Sequence, residues 1–357
     1  MRRSIQVLIA ATFVTISGLA CQAILSQRSY VDFVSLWAAG RLASSLAYDI
    51  AAHRMVEMTA TDVRGLLPFA YPPPFLLILT PLGRLTYPRA FITWVIATGA
   101  IYTLVARRME PLSNPCVVSN ALVGQTGFLT SALFVGGTSL LETRPFLAGV
   151  VLGCLVIKPQ LAILIPLAFA AAGNWRAFAG SATSSTFLLA VAWIVFDSST
   201  YPAFFGIIAR YPEYIRTGGW PWAELASPYA FARYFGLSST ISLALHGSVA
   251  AIAASVVWRA WRTAQVQRVP ILAAATLLVS PYIMTYDALL LVVPLAALIG
   301  IPALLTWALA LLPILADFGF YSGPNTISLA AGLCLLVLTV HNEGAETPSL
   351  ASPAEDS

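Results

Sequence analysis

Long apolar stretches, separated by short polar segments that carry arginine, run along almost the whole sequence. The first of them, residues 5–25, has about the 20 residues that a helix needs to cross a bilayer. It follows two arginines and has no clear small-residue cleavage site, so we expect a retained anchor helix. Because a segment in lipid must satisfy its own backbone hydrogen bonds, the pattern predicts helices for the other stretches as well.

The remaining apolar stretches predict a series of further helices, several of them short or interrupted by proline. They are expected at residues 88–106, 115–123, 127–141, 145–158, 160–173, 177–196, 240–258, 270–283, 286–299, 301–316 and 325–340. Residues 74–82 are also apolar, but at roughly 9 residues they are too short to cross, so we interpret them as an interfacial or re-entrant helix. The predicted fold class is an all-α, polytopic membrane protein with about 10–12 transmembrane helices.

Arginine positions orient these helices, since positive residues favour the cytoplasmic side of a membrane. The cytoplasmic turns are marked by Arg2, Arg3, Arg107, Arg108, Arg144, Arg176, Arg259, Arg262 and Arg268. Two longer polar intervals, residues 26–86 and 197–239, are then external loops with interfacial helices. The second is rich in tyrosine and tryptophan, which suit either the headgroup zone or a sugar platform. We predict one membrane domain over residues 1–341 and a disordered cytoplasmic tail over 342–357.

Composition excludes an ordinary soluble domain, because 59% of the residues are hydrophobic, 10% are charged and the mean hydropathy is +0.82. The net charge of +4 lies mostly in loops, so it bears on membrane topology and not on nucleic acid. Four scattered cysteines indicate packing residues without a disulfide. Three histidines lie far apart in sequence and do not indicate a metal site.

Lys158 is the only lysine, and it lies inside the apolar run 147–167. A cation there costs about 2.5–3.5 kcal/mol at the bilayer centre and less near a helix end. An anion about 4 Å away contributes about 4 kcal/mol at an effective dielectric near 20, which outweighs that cost. We interpret Lys158 as a ligand of a lipid phosphate. The alternative is a lysine that reaches ordinary headgroups.

Asp32 follows the first apolar stretch closely and is flanked by apolar residues. A carboxylate at the membrane boundary is partly shielded from water, becomes more basic and suits a general base acting on a hydroxyl. It also suits the N-cap of a short helix over residues 33–44. Both interpretations stay open, and they are compatible with each other.

Further candidates are aromatic and polar residues near the predicted external surface. Trp37 offers a flat ring, and Arg41 offers either a fork for phosphate oxygens or an ion pair with Asp49 or Glu57. Tyr71 precedes three prolines that set an extended entry into the next helix, and it is expected to face a pocket or only to pack. Gln125 lies in the glycine-flanked segment Gly124-Gln125-Thr126-Gly127. We expect this segment either to line a cavity or to form a plain turn between two helices.

A second aspartate, Asp287, follows Tyr286 at another external helix junction. Three roles are compatible with its position. It orients Lys158, contacts an acceptor or caps the next helix. The sequence does not distinguish among them.

These residues occur in motifs that resemble one known family. The motifs are Asp32-Phe33 with Trp37-Ala38-Ala39-Gly40-Arg41, Tyr71-Pro72-Pro73, Gly124-Gln125-Thr126-Gly127, Arg144-Pro145, Lys158-Pro159-Gln160 and Gly173-Asn174-Trp175-Arg176. Their order and spacing resemble the family 87 glycosyltransferases of the GT-C superfamily. That group includes polyprenol-phosphate-mannose-dependent mannosyltransferases of cell-envelope glycolipids. The resemblance runs from about residue 30 to 180 and is weaker beyond, apart from residues 280–287.

The resemblance implies a GT-C fold and an inverting transfer of a hexose, mannose by default, from a polyprenyl-phosphate sugar. The acceptor is an envelope lipid or glycan hydroxyl at the external face of the plasma membrane. Asp32 is the implied general base, with Lys158 and then Arg41 at the donor phosphate. Substrate contacts are expected from Trp37, Tyr71, Gln125, Gln160, Tyr286 and Asp287. No metal or other cofactor is expected, because a monophosphate donor lacks the pyrophosphate that commonly recruits one.

The main alternative is a transporter or flippase that uses Lys158 as a counter-ion for its substrate. It predicts internal hydropathy symmetry and interrupted helices in paired positions, and the sequence shows no such pairing. The two long external intervals favour an enzyme with an external active site. An envelope-polysaccharide polymerase is a third possibility, and the early Asp32 motif argues against it.

Overall fold

A computed structural model of the protein describes residues 32–60, 67–216, 222–317 and 319–346. The anchor helix predicted at residues 5–25 lies outside these ranges, as do Arg2, Arg3 and most of the predicted tail. The described part of the chain contains sixteen α-helices and no strand, which confirms the all-α prediction.

The described part of the first polar interval is mostly helical. It contains α1 (Phe33–Leu42), α2 (Ile50–Glu57) and α3 (Pro74–Gly83), followed by the long helix α4 (Tyr87–Val105). Helices α1 and α3 cross so closely that a Cβ atom on Gly40 would lie 2.2 Å from the carbonyl oxygen of Leu79. A Cβ atom on Gly83 would lie 2.3 Å from the backbone of Gly40. Glycine at both positions therefore allows this crossing.

Five helices form the middle of the chain. They are α5 (Cys116–Val123), α6 (Gly127–Ser139), α7 (Pro145–Gly153), α8 (Leu164–Ala171) and α9 (Trp175–Phe196). Helices α7 and α9 pack backbone to backbone. A Cβ atom on Gly149 would lie 2.0 Å from the Ala177 oxygen, and one on Gly180 would lie 2.1 Å from the Phe146 oxygen. Small residues at a helix crossing are typical of helix association in membranes.

Seven helices complete the described fold. They are α10 (Thr200–Arg216), α11 (Pro228–Tyr234), α12 (Ser239–Arg262), α13 (Arg268–Val279), α14 (Val292–Ala297), α15 (Gly300–Asp317) and α16 (Ile327–Glu346). Two predictions need correction here. The helix expected at 286–299 begins as a 3₁₀ helix, Thr285–Leu291. The tail, expected to be disordered from residue 342, continues α16 as far as Glu346.

Helices α4, α9 and α12 are long and apolar enough to cross a membrane. Their apolar side chains point largely outward, with Ile96 65% exposed and Ile194 80% exposed. The other apolar helices are shorter. Two pairs of them, α7 with α8 and α13 with α14, are joined by 3₁₀ turns, at residues 154–161 in the first pair and at Thr285–Leu291 in the second.

Arginine-bearing turns meet at one end of the helices. Arg268, at the start of α13, forms an ion pair with Glu142 in the turn between α6 and α7. Arg259 and Arg262 lie in the last turn of α12. Because successive helices alternate in direction, the turns at residues 124–126, 158 and 280–287 lie at the opposite end. The positive-inside rule predicts that this end is external.

Two apolar clusters form the core of the described fold. One joins α1, α3 and α4, and the other joins helices from α5 to α16. The break between α7 and α8 lies at their boundary, since Ile157 packs in the first cluster and Leu155 packs in the second. The break therefore places Lys158 between the two halves of the molecule.

Candidate functional site

A cavity of about 190 Å³ lies at the end of the helices that is predicted to be external, where the two apolar clusters meet. Its walls come from seven separate parts of the chain. The lining residues are Asp32, Ser35, Leu67, Pro68, Ala70, Tyr71, Gln125, Lys158, Gln160, Ile208, Tyr211, Leu225, Tyr282, Met284 and Tyr286. The fold thus brings together most of the site residues that the sequence suggested.

Asp32 lies at the mouth of α1, in the N-cap position. Its side chain makes no capping hydrogen bond, and the Ser35 amide donates instead to the main-chain oxygen of Asp32, at 3.1 Å. The capping interpretation is therefore wrong. Asp32 and Ser35 both line the cavity, because residues three apart share one face of a helix.

Lys158 is held in the interior by a carboxylate. Its Nζ atom donates to Asp287 Oδ1 at 2.5 Å and to Thr126 Oγ1 at 3.2 Å. Both charged residues are buried, with 2% and 1% of their surfaces exposed. The anion that offsets the cost of burying Lys158 is thus a residue of the protein itself.

The ion pair joins two 3₁₀ turns, one between α7 and α8 and the other between α13 and α14. Lys158 lies between the 3₁₀ helices Cys154–Ile157 and Pro159–Leu161. Asp287 lies in the 3₁₀ helix between α13 and α14. Proline at the start of a helix cannot continue the preceding one without losing a hydrogen bond, which accounts for the break after Lys158. Irregular backbone at membrane depth is tolerated where it lines a cavity.

Asp287 performs two of the three roles that the sequence left open. One oxygen orients Lys158, and the other accepts a hydrogen bond from the Met284 amide at 3.1 Å. Asp287 is absent from the cavity lining. It acts behind Lys158.

Aromatic rings surround the Lys158 ammonium group. Nζ lies 4.5 Å from the ring centre of Tyr286 and 5.7 Å from that of Tyr71. The Tyr71 hydroxyl donates to Gln125 Oε1 at 3.0 Å, and Tyr48 donates to the Tyr71 oxygen at 2.9 Å. Cation–π contacts of this kind stabilise a partly desolvated cation. Tyr71, Gln125 and Tyr286 therefore form one polar wall with Lys158.

Close packing of α6 fixes the position of this wall. A Cβ atom on Gly127 would lie 2.2 Å from the Tyr286 oxygen. The Gly127 amide also donates to Asn120 Oδ1 at 2.9 Å. Because Gly127 has no side chain, the backbone of Tyr286 can pack directly against the start of α6.

Two predicted residues lie away from the cavity. Trp37 is buried, and its indole N–H donates to the Leu85 oxygen at 3.0 Å. Arg41 lies over the Trp37 ring at 5.1 Å and donates to the Gly83 oxygen at 3.3 Å. A separate surface hollow contains Arg41 together with Arg84. The structure therefore does not bring Arg41 or Trp37 to Asp32 and Lys158, and the expected ion pair of Arg41 is replaced by these contacts.

A further wall comes from the second polar interval, which the sequence analysis did not connect to the site. Leu225 and Met284 form an antiparallel bridge, and the Ala226 amide donates to the Ile283 oxygen at 2.6 Å. Tyr211 meets Tyr282 edge to face, with ring centres 6.1 Å apart. The density of aromatic residues in this interval was the only signal that could have indicated this wall.

The cavity carries no metal-binding cluster in the part of the chain that the structure describes. No three His, Cys, Asp or Glu residues come together there. Its charged groups are Asp32 and the Lys158–Asp287 pair. This set can accept a proton at one side and hold an anion at the other.

Comparison with known proteins gives one match. The family model of glycosyltransferase family 87 matches residues 69–281. No curated protein and no solved structure matches the chain. The matched region contains Tyr71, Gln125, Lys158 and Gln160, whereas Asp32 and Asp287 lie outside it. Since the match covers more than half of the 357 residues, the chain belongs to glycosyltransferase family 87.

Proposed function

We propose that this glycosyltransferase uses a polyprenyl-phosphate sugar and transfers the sugar to a hydroxyl of an envelope lipid or glycan. The observation that carries the proposal is the shared cavity of Asp32 and Lys158. A carboxylate and a cation that face one small space supply the two functions of a displacement at an anomeric carbon. The donor is taken as a hexose, with mannose as the default.

In this mechanism Asp32 removes the proton from the acceptor hydroxyl as its oxygen attacks the anomeric carbon. The bond from that carbon to the phosphate oxygen breaks at the same time, and polyprenyl phosphate leaves. The displacement is single, so the configuration at the anomeric carbon inverts. The charge that develops on the leaving phosphate is held near Lys158, where little water screens it.

The ion pair of Lys158 limits how this cation acts. An ammonium group has three N–H donors, and two of them reach Asp287 and Thr126. The third is available for a phosphate oxygen from the cavity that Lys158 lines. Asp287 offsets part of the charge, so we infer that Lys158 positions the phosphate by a directed hydrogen bond and contributes less through its net charge.

The aromatic side of the cavity is the inferred place of the sugars. Tyr71 and Tyr286 flank Lys158, and Tyr211 and Tyr282, which contact each other, also line the cavity. Gln125 and Gln160 add amide groups that bind hydroxyls. We infer that the donor sugar lies nearest the Lys158 wall, and the acceptor nearest Tyr211.

The same proposal covers fold and location. We infer one membrane domain over residues 1–341 with the GT-C fold, in the plasma membrane, with the cavity at the external face. The arginine turns at the opposite end of the helices support this orientation. Membrane lipids, the lipid-linked donor and the acceptor are the expected partners.

The transporter alternative predicts interrupted helices in paired positions. The two breaks at Lys158 and Asp287 are instead 3₁₀ turns between short helices. They meet at an ion pair beside a small cavity that opens among the external turns. A glycosyltransferase family also accounts for the cavity, and we therefore keep the enzyme as the proposal. Uptake of a lipid-linked sugar without transfer of that sugar would favour the transporter.

The test is transfer of labelled sugar from synthetic polyprenyl-phosphate mannose to a membrane lipid extract, followed by glucose, galactose and arabinose carriers. Asp32→Asn is expected to abolish transfer with folding intact. Asp49→Asn is the matched control, because Asp49 is exposed and caps α2 through Ala52, and asparagine caps equally well. Transfer by purified Asp32→Asn protein at the wild-type rate would contradict the role of Asp32.

A further inference from the structure

Ser35 connects the cavity to a buried histidine and glutamate that the mechanism above does not use. Ser35 Oγ lies 3.2 Å from His53 Nε2. The same nitrogen lies 3.6 Å from Glu57 Oε1. His53 and Glu57 are each 1% exposed, and both belong to α2. A line of proton-carrying groups thus runs from the cavity into the external helices.

The surroundings of this line are mostly apolar on the side of the cavity. The His53 ring stacks on Phe69 with ring centres 6.4 Å apart. On the other side, Arg54 lies 3.5 Å from Glu57 Oε2, and 22% of the Arg54 side chain is exposed. Tyr48 and Asp49 flank the start of α2, Asp32 begins α1, and residues 61–66 fall outside the described part. The line therefore begins at the cavity and ends beside a partly exposed cation.

Burial sets the proton affinities of the two inner groups in opposite directions. It lowers the pKa of His53 to about 4, and the imidazole is therefore neutral at physiological pH. It raises the pKa of Glu57 to about 7 against the opposing effect of Arg54. Glu57 can therefore both accept and release a proton near neutral pH.

We propose that Ser35, His53 and Glu57 form a relay that removes from the substrate-filled cavity the proton that Asp32 takes from the acceptor. The inference rests on the proposed function and deepens it. A lipid donor and an acceptor that fill the cavity displace water, so Asp32 needs an exit for its proton before the next turnover. Ser35 lies one helical turn from Asp32 on the same wall.

The proton balance closes without a further reactant. The acceptor O–H bond breaks, and its proton passes to the Asp32 carboxylate. Asp32 then gives a proton to Ser35 Oγ as the Ser35 hydroxyl gives its own to His53 Nε2, with the second imidazole proton on Nδ1. Nε2 lies 3.6 Å from Glu57 Oε1, so the proton passes on once these two atoms approach to hydrogen-bond distance. Asp32 returns to the carboxylate, and Glu57 releases the proton to water beside Arg54.

The first test measures turnover of Ser35→Ala, His53→Gln and Glu57→Gln in the full-length enzyme, in H₂O and in D₂O. Each is expected to lower kcat about tenfold, less than the ~10²–10⁴-fold effect of a direct general base. The donor KM stays unchanged, and the acidic limb of the pH profile shifts. His246→Gln is the matched control, since His246 is a buried histidine on α12 bound to the Val279 oxygen. A wild-type kcat and pH profile in all three variants would overturn the relay.

A second readout is independent of sugar transfer. Nitrogen-15 NMR of labelled histidine follows His53 in purified protein, with His246→Gln and His341→Gln used to assign the signals. The His53 signal is expected to respond as Glu57 titrates near pH 7, and to lose that response in Glu57→Gln. A His53 signal that is identical in wild type and Glu57→Gln at every pH would overturn the shared proton. If the Asp32→Asn protein transfers sugar at the wild-type rate while the His53 signal still follows the titration of Glu57, the proposed function fails. The proton shared by His53 and Glu57 then still stands.

Discussion

Lys158 Nζ and Asp287 Oδ1 lie 2.5 Å apart although 129 residues separate them in sequence. Each residue lies in or beside a 3₁₀ turn between two short helices, and each is buried. The ion pair therefore fixes the α7–α8 break against the α13–α14 break. Replacing one partner leaves the charge of the other buried and unpaired. Replacing both partners by neutral residues leaves no buried charge.

The first prediction concerns stability. Lys158→Ala is expected to destabilise the protein by about 3–5 kcal/mol, because it leaves the Asp287 carboxylate buried and unpaired. Lys158→Met combined with Asp287→Asn is expected to recover most of that loss, since the pair is replaced by neutral groups that fill similar space. Thermal unfolding in one detergent measures both. A double variant as unstable as Lys158→Ala would show that the pair is not what stabilises this junction.

The second prediction concerns the donor. Asp287→Asn keeps an oxygen for Lys158 and removes the negative charge beside it. The donor KM is therefore expected to fall severalfold, because a phosphate then meets an uncompensated cation. Steady-state transfer at varied donor concentration measures the change. An unchanged donor KM in a stable Asp287→Asn protein would show that the phosphate does not contact Lys158.

The third prediction concerns the crossing of α1 and α3. Gly40→Ala places a Cβ atom 2.2 Å from the Leu79 oxygen, so the helices must separate. The expected destabilisation is about 1–3 kcal/mol, in the range of overpacked sites, with loss of transfer because α1 carries Asp32 and Ser35. Gly206→Ala on α10 is the control, since nothing lies within 4 Å of its Cβ position. Equal thermal stability of the two variants would contradict the close crossing.

The fourth prediction is a pH dependence of stability. The pKa of Glu57 is raised by burial from 4.5 to about 7, so its contribution to stability falls as the pH rises through that interval. Burial lowers the pKa of His53 from 6.5 to about 4, so its contribution falls as the pH drops from 6.5 towards 4. Glu57→Gln should remove the loss of stability that occurs as the pH rises from 4.5 to about 7. His53→Gln should remove the loss that occurs as the pH falls from 6.5 to about 4.

Melting temperatures between pH 4 and pH 8 test this fourth prediction. The difference between each variant and the wild type is the quantity to compare, since other groups titrate in both. A difference that stays constant with pH for both variants would show that neither side chain titrates differently in the folded protein.

The helices were predictable from sequence because a membrane allows few alternatives. The expected helix at 88–106 is observed as Tyr87–Val105, and the one at 115–123 as Cys116–Val123. Apolar length and the positions of arginine were sufficient for these elements. The break at Lys158 could be suspected from Pro159, but the 3₁₀ turns around it follow from packing against other helices.

The site was predictable only in part. Motif residues such as Asp32, Tyr71, Gln125 and Lys158 do share one cavity. Arg41 does not, because the turn of α1 that bears it packs on Gly83, and sequence spacing does not show which face of a short helix is buried. The pairing of Lys158 with Asp287 and the role of Ser35 depend on contacts between distant segments, which a single sequence does not encode locally.

The antiparallel bridge between Leu225 and Met284 has a consequence for how substrate range changes among related enzymes. It fastens the second external interval to the short stretch that bears Tyr286 and Asp287, so an altered wall there also displaces the partner of the cation. Ile208 and Tyr211 reach the same cavity from α10 without that attachment. Acceptor preference is therefore expected to diverge through α10, while residues 225–226 and 283–287 change only in concert.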